Sequence, residues 1–432
     1  MTALIAPFRP LRFKIEPGAD AGVVWAPPYD VITDEDAAEL RSRHPRNIVR
    51  ITNPAQTSTD PYASAARTLR DWVAEGWLAR DAQSGVYVHR HRFESGGKAY
   101  ERAGVWALLG LEEFGAGAVV PHERTMTGPK ADRLALMRAC QAQLSPIFFI
   151  CSDPQARLRE FMEESARDEA TERAEFPSGI RHQIWRVVNR RAVERLSAIV
   201  RDQVLLIADG HHRYETALDY RDELIAGGAA RTGRGSHEFV LAYIVPETDP
   251  GLLLLPTHRV IRGASLPWIS AVLKTTDRFE ILRLDERGVE AAMRGLAEER
   301  GRPSFVLVAR GEEGGWLLRL RKPTETTVIS SVALHDVFLR DGAGLTEEEQ
   351  IQRISYVKDP SKALSNVRTG AAEAVFLLAA PEVRQVRTAA VAGERLPPKT
   401  TYFWPKVPTG IAIHPIDPAE MIEYLSGDVS EG

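Results

Sequence analysis

Between residues 204 and 218 the chain passes from an unbroken aliphatic run to a helical repeat, and only a short polar stretch separates the two. Val204-Leu205-Leu206-Ile207 reads as a buried strand. Tyr214, Ala217 and Leu218 recur at helical spacing and open an amphipathic helix. Between them stands Ala208-Asp209-Gly210-His211-His212-Arg213. A core strand turning directly into a helix is the unit from which α/β folds are built.

Further elements repeat that grammar. A strand over 23–32 enters a proline turn at Pro27-Pro28-Tyr29-Asp30, and Thr33 with Asp34 caps a helix over 35–43. Residues 85–93 and 102–111 form two strands around Glu94-Ser95-Gly96-Gly97. Ile147–Cys151, a stretch near 182–188, Phe239–Val245 and Leu252–Leu255 complete the strands of a first domain. Residues 155–200 otherwise read as mostly charged helix. From about 265 the chain restarts: a helix over 286–299, a hairpin of 304–310 with 316–321, a strand at Ala374–Ala380, and a helix through Val383, Val386 and Ala390 ending at Gly393. The expected fold is α/β with a mixed sheet. Its 432 residues suit two or three domains, placed at 1–264 and 265–432.

Composition removes several classes. Hydrophobic residues at 44% and charged residues at 26% give an ordinary globular balance, which rules out compositional disorder. Cys140 and Cys151 are too few for a disulfide framework and read as core residues. The first ten residues lack a secretory pattern, and no apolar run nears the ~20 residues of a membrane helix. The expected location is cytoplasmic. A net charge of −4 argues against a protein held to nucleic acid by phosphate contacts.

Three segments can carry chemistry. In Asp209-Gly210-His211-His212-Arg213 a helix N-terminus meets an anion with its amides and dipole. Gly210 permits close backbone approach, the two histidines and Arg213 add donors, and Arg213 can grip two phosphate oxygens at once. Asp209 can orient a histidine, help hold Mg²⁺ or take a proton from a hydroxyl. The bland alternative is a capped turn whose histidines satisfy local carbonyls. The second segment holds His122, Glu123, Arg124, Thr125, Thr127 and Lys130, with Asp132 and Arg133 beyond and a turn at Gly128-Pro129. Glu123 is its candidate base; the alternative is a solvated charged loop. The third, Lys399-Thr400-Thr401-Tyr402-Phe403-Trp404-Pro405-Lys406, can close over a ligand or pack its aromatics into a core. Tyr29, Asp30, His258, Lys399, Thr400 and Tyr402 are weaker substrate-contact candidates. His335 reads as a packed histidine. His89 and His91 share one face of a strand, but no acidic or cysteine partner lies near them in sequence to complete a metal site. Walker, dinucleotide, zinc-protease and nucleophile-elbow motifs are missing.

Taken in order, Pro27-Pro28-Tyr29-Asp30-Val31-Ile32, His122-Glu123-Arg124-Thr125, Asp209-Gly210-His211-His212-Arg213-Tyr214 and Pro398-Lys399-Thr400-Thr401-Tyr402 resemble a bacterial family known only as a domain of unknown function, DUF1015. The resemblance runs from about Ile5 to Pro415. The central motif looks like the signature of the ParB/sulfiredoxin superfamily, which binds nucleotide phosphates and includes free-serine kinases. That implies a ParB/sulfiredoxin-like core with insertions, followed by a C-terminal α/β domain those kinases lack. It implies a phosphotransferase acting on a small hydroxylated metabolite, with L-serine and O-phosphoserine the leading pair and ATP, ADP or pyrophosphate with Mg²⁺ as donor. Asp209 would be catalytic with Glu123 and His211. Gly210, His212, Arg213, His122, Arg124, Thr125, Lys130 and Arg133 would bind phosphates. The rival expectations are a nucleotide-driven switch, which would act as a homodimer, a partition protein, and a phosphate-ester hydrolase.

Overall fold

The structure, a computed structural model, describes residues 2–16, 18–55, 59–123, 127–263, 273, 277–299, 301–324 and 328–423, with backbone only at 127–129. The fold is mixed α/β. Its contacts gather into two compact units. The first takes the chain up to Pro121, the stretch that ends at Leu253, and everything from Pro405. The second takes Leu254–Trp404 and the short segment at His122.

The first unit is built on a nine-stranded sheet. Its strands are β1 (Ile5–Ala6), β2 (Val86–Ser95), β3 (Lys98–Gly110), β4 (Val119–Val120), β5 (Ile147–Cys151), β6 (Glu172–Glu175), β7 (Arg181–Val187), β8 (Leu205–Asp209) and β9 (Phe239–Pro246). The order is β4-β8-β5-β9-β3-β2-β7-β6, with β1 on β3. The β8–β4 and β5–β9 pairs are parallel and the others antiparallel. The expected strands at 147–151, 204–207 and 239–245 all lie here, and all are buried because the sheet is covered on both faces. One face packs Val88, Val105, Phe149, Ile207 and Ile244 against Leu196, Tyr214 and Ala217. The helices of this unit include α1 (Asp34–Arg43), α2 (Pro61–Ala74), α3 (Thr127–Cys140), α4 (Arg157–Ser165), α5 (Arg190–Arg201) and α6 (His211–Ala226). Thr33 caps α1 as expected, in a reciprocal capping box with Asp36.

The charged stretch 155–200 is not mostly helix. Strand β6 interrupts it, because Glu172–Glu175 alternates: Ala174 points inward while Arg173 and Glu175 face water. Charges of that kind suit a sheet edge. Of the expected strand at 252–255 only Leu253–Leu254 forms.

The second unit has a six-stranded sheet of β10 (His258–Ile261), β11 (Phe279–Leu284), β12 (Ser304–Ala309), β13 (Gly315–Leu320), β14 (Ile354–Val357) and β15 (Ala374–Leu378), in the order β11-β13-β12-β15-β10-β14. Thus β10, which the sequence reading leaves in the first domain, lies inside the second sheet. On one face Phe279, Phe305, Phe338 and Phe376 meet edge to face at 5.6–5.8 Å. Phe338 comes from a π-helical stretch, Ala333–Gly342. The other face is covered by α7 (Glu286–Gly295) and α8 (Pro360–Arg368), through Val289, Leu364 and Val367. Among the described residues no helix is long and apolar enough to cross a membrane.

Candidate functional site

Strand β8 pairs with β5 in regular register to Ile207, opposite Phe149. Ala208 is then an extra residue, and Asp209 stands opposite Phe148. Such a bulge re-aims the side chain that follows it. Gly210, at φ +98°, carries the chain into α6 in a left-handed conformation that glycine adopts at little cost. Asp209 therefore lies where a strand ends and a sixteen-residue helix begins.

Both carboxylate oxygens of Asp209 meet cations. Oδ2 accepts from Arg213 Nη2 at 2.8 Å, and Oδ1 pairs with Lys406 Nζ. The side chains of Asp209, Arg213 and Lys406 are 19%, 11% and 12% exposed. Arg213 also donates to the Pro146 carbonyl oxygen. Two cations thus flank this carboxylate where little water screens them. The amides of the first turn of α6 face outward along the helix axis and add to their positive charge. The arrangement favours an anion.

A cavity opens beside this turn. Its polar lining comes from Tyr29, Thr52, Arg133, Ser145, Arg213 and Thr216, with Leu136, Met137, Ile147 and Val240 as apolar wall. Water centres have about 40 Å³ of room in it. The Arg133 guanidinium stacks on the Tyr29 ring at 4.1 Å, and its Nη1 donates to the Thr52 carbonyl at 2.8 Å. Burial raises the pKa of the Tyr29 phenol; Arg213 and Arg133 oppose the rise, while Asp30 and Asp209 add to it. Five stretches of the sequence thus supply one pocket.

Arg124 and Thr125 fall outside the described residues. Helix α3 already begins at Thr127, so Gly128-Pro129 forms part of its first turn instead of a separate turn. Lys130 reaches Asp219 Oδ2 at 2.9 Å and Glu215 Oε2 at 3.7 Å, and Asp219 chiefly raises its pKa. His211 is buried and His212 half-buried in the first turn of α6. The two cysteines are free, with Cys151 in the core and Cys140 half-buried.

The second unit gathers the second and third sequence segments. Glu123 Oε1 accepts the Lys399 backbone N–H at 3.2 Å, and His122 Nε2 lies 2.8 Å from Thr401 Oγ1. Thr400 Oγ1 donates to the Pro397 carbonyl at 2.7 Å. Beneath them Arg259, 1% exposed, donates to the carbonyls of Pro398 and Lys399 at 3.3 and 3.2 Å. Burial pulls the Arg259 pKa down to about 10, against Tyr356 and Glu123, which raise it. Lys399 has φ +55°, an uncommon conformation for a residue with a side chain. Tyr402 is buried, with the Lys358 ammonium 3.7 Å above its ring. His258 is buried in β10 and its Nδ1 accepts the Leu378 N–H at 3.2 Å. His335 packs as expected: Arg259 Nε donates to its Nε2 at 3.3 Å, so its Nδ1–H donates to Gln350 Oε1 at 2.7 Å.

In the first unit His89 and His91 gain a third neighbour, His182. The donors decide what this cluster is. Trp106 Nε1 can only donate, and it lies 3.1 Å from His89 Nδ1. His89 Nδ1 is therefore an acceptor, so His91 Nε2–H also donates to it at 3.1 Å. His89 then carries its proton on Nε2 and donates to His182 Nδ1 at 2.9 Å. His182 Nε2–H in turn donates to the Phe176 carbonyl at 2.5 Å. Each Nδ1 lone pair on His89 and His182 is occupied and each Nε2 bears hydrogen. These bonds make the cluster a one-way chain of neutral imidazoles.

The same burial predicts acid sensitivity. Desolvation lowers the pKa of His182, His258 and His414 to about 4 and that of His335 to about 3. Unfolded, these groups bind protons near pH 6.5. From there down to the folded values, the unfolded state binds more protons and stability falls with pH. Each histidine contributes about 1.4 kcal/mol per pH unit in that window. Urea midpoints should be flat above pH 7 and fall steeply between pH 6.5 and 4. A midpoint unchanged over that interval would contradict the neutral assignment.

Lys406, Arg102 and Arg259 were not singled out by sequence reasoning. Lys406 stood within the third segment, where aromatics flanked by lysines gave a usable signal. The two arginines lie within strands, where a lone charge gives no such signal.

No curated protein is detectably similar in sequence. Several solved structures resemble the chain loosely, among them three different proteins. A free serine kinase in complex with AMP is 15% identical, with TM-score 0.35, covering 66% of this chain and 83% of its own. A conserved hypothetical protein from Pyrococcus furiosus is 15% identical, with TM-score 0.34, covering 68% and 91%. SbnI from Staphylococcus aureus, with its C-terminus truncated, is 10% identical, with TM-score 0.33, covering 67% and 81%. The model for a protein of unknown function (DUF1015) matches residues 5–338, most of the chain. The chain belongs to the DUF1015 family.

Proposed function

We propose that the Asp209 turn is the phosphate site of a phosphotransferase that acts on the hydroxyl of a small metabolite, with L-serine and O-phosphoserine the leading pair. The observation that carries the reading is the placement of Asp209 between Arg213 and Lys406 at the start of α6. Phosphoryl transfer asks a protein mainly for positioning and charge stabilisation. Arg213, Lys406 and the helix amides supply the charge. Asp209 is the proposed acceptor of the hydroxyl proton, with His211 and His212 as donors to phosphate oxygens. Arg133 and Tyr29 shape the pocket beside them. Glu123 is a second proposed base, and Thr400 and Lys399 are proposed substrate contacts on the second unit.

The proposed donor is ATP, ADP or pyrophosphate. With one carboxylate at the turn, the donor set suits Mg²⁺ held mostly by phosphate oxygens; Asp209 would be its protein ligand, and the ion would neutralise charge on the donor. A ParB/sulfiredoxin-like relationship for the first unit is supported by the Asp209–Arg213 motif. The proposed location is cytoplasmic.

The test is product analysis. The full chain is incubated with Mg²⁺, each donor and L-serine, or with O-phosphoserine, and both amino acids are followed by mass spectrometry. Interconversion by wild type that disappears in Asp209→Asn supports the reading. Release of free phosphate without an acceptor favours a hydrolase. Ligand-driven stabilisation without product favours a switch.

Gly210→Ala gives a further expectation. A Cβ there would stand 3.0–3.1 Å from the Arg213 guanidinium, on a backbone at φ +98°. The variant should lose about 1–2 kcal/mol of stability and bind pyrophosphate about tenfold more weakly. Melting and isothermal titration measure the two effects; wild-type affinity in a destabilised variant would separate the turn's shape from binding.

A further inference from the structure

On the sheet face that carries Asp209, cross-strand neighbours form a row of aromatic side chains. Asp209 stands opposite Phe148, Phe148 opposite Tyr243, and Tyr243 opposite Trp106. On the next pairs along the same face, Gly104 stands opposite His89 and Arg102 opposite His91. Arg102 is fully buried. Among the described residues it forms no ion pair, and its Nε and Nη1 have no hydrogen-bond partner. Its bonds run from Nη2 alone, to the Pro405 carbonyl at 2.7 Å and to His91 Nδ1 at 3.4 Å. The rings of Phe148 and Tyr243 lie 5.1 and 5.9 Å from the guanidinium.

Among the described residues no carboxylate bonds this buried cation directly; Tyr243, Asp249 and Asp209 only partly offset its burial, and an apolar residue of like size would serve packing as well or better. What this one holds is the residue before Lys406. The peptide that supplies the Pro405 carbonyl is the peptide that leads into Lys406, whose ammonium pairs with Asp209. The same Nη2 also reaches His91, which the directed chain through His89 and His182 locks in one tautomer. Arg102 thus meets one strong acceptor, the Pro405 carbonyl, and one fixed neighbour, His91, at a single nitrogen.

We infer that Arg102 is a positioning residue: its hydrogen bond to the Pro405 carbonyl sets where Lys406 stands against Asp209. Its consequence for ligand binding rests on the phosphate reading given above; the placement of Lys406 does not.

The test uses the nine lysines of the chain. Reductive ¹³C-methylation of the folded full chain gives each dimethyl-lysine a resonance, with Lys406 assigned by its loss in Lys406→Arg. Two variants are compared, with circular dichroism as a check of folding. Arg102→Met removes the donor to Pro405, and Arg102→Lys keeps a donor one bond short of Nη2 and adds one assignable resonance. In Arg102→Met the Lys406 resonance should move to the position and pH profile of exposed lysines, and pyrophosphate affinity should fall about tenfold. In Arg102→Lys both should stay nearer wild type. The inference is overturned if Lys406 is unmoved in Arg102→Met, or if both variants displace it equally. Should Arg102→Met not fold, Arg102→Lys decides alone: a retained resonance upholds the inference and a displaced one sinks it. A displaced Lys406 in a series in which even wild type binds no pyrophosphate would uphold the positioning and remove the phosphate reading.

Discussion

Asp209→Asn is expected to cut phosphoryl transfer about a thousandfold, within the range that loss of a general base produces, while pyrophosphate titrated without Mg²⁺ binds as tightly as to wild type or tighter. The two halves come from one geometry. The carboxylate occupies Arg213 and Lys406, so an incoming phosphate must share those cations with it. Asparagine keeps the shape and can still accept a hydrogen bond, but it withdraws the negative charge that repels the ligand. Proton acceptance is lost and anion binding is not. The measurement is initial rate and titration on the same preparations. Parallel loss of rate and affinity would mean that Asp209 organises the pocket and takes no proton.

Phe338→Ala should cost about 3–5 kcal/mol, the range for truncating a buried aromatic. Phe338 sits among Phe279, Phe305 and Phe376 at 5.6–5.8 Å, each pair edge to face, so its removal empties the centre of the second unit's core. Urea unfolding followed by fluorescence measures the loss. Because that core is separate from the one around Phe149 and Ile207, hydrogen exchange should rise first in strands β11 to β15 and leave β5 and β8 protected. Equal deprotection of both sheets would show that the two units unfold as one.

Much of the first unit was legible because its strands are short aliphatic runs ended by turn residues. Ile147–Cys151 and the strand into Asp209 read directly, as did the hairpin at 94–97 and the capped helix after Thr33. Local rules failed where pairing is decided from a distance. Strand β6 is a charged edge strand within a helix-like composition. Strand β10 is short, and its partners β14 and β15 lie far along the chain. The Asp209 turn was visible because strand, glycine and helix start are local features. Its partners were not. Lys406 arrives from the other end of the chain, and Arg133 with Tyr29 comes from two further stretches. The histidine chain needed His182, which no spacing rule connects to His89 and His91.

The most direct measurement is isothermal titration of pyrophosphate into wild type, Arg213→Met and Asp209→Asn. Arg213 offers a charged hydrogen bond to the ligand, and losing such a bond is worth about 1.5–3 kcal/mol. Wild type and Asp209→Asn should bind, and Arg213→Met should bind roughly ten- to a hundredfold more weakly. Absence of binding to wild type, or equal binding by wild type and Arg213→Met, would contradict the assignment of the Asp209 turn as a phosphate site.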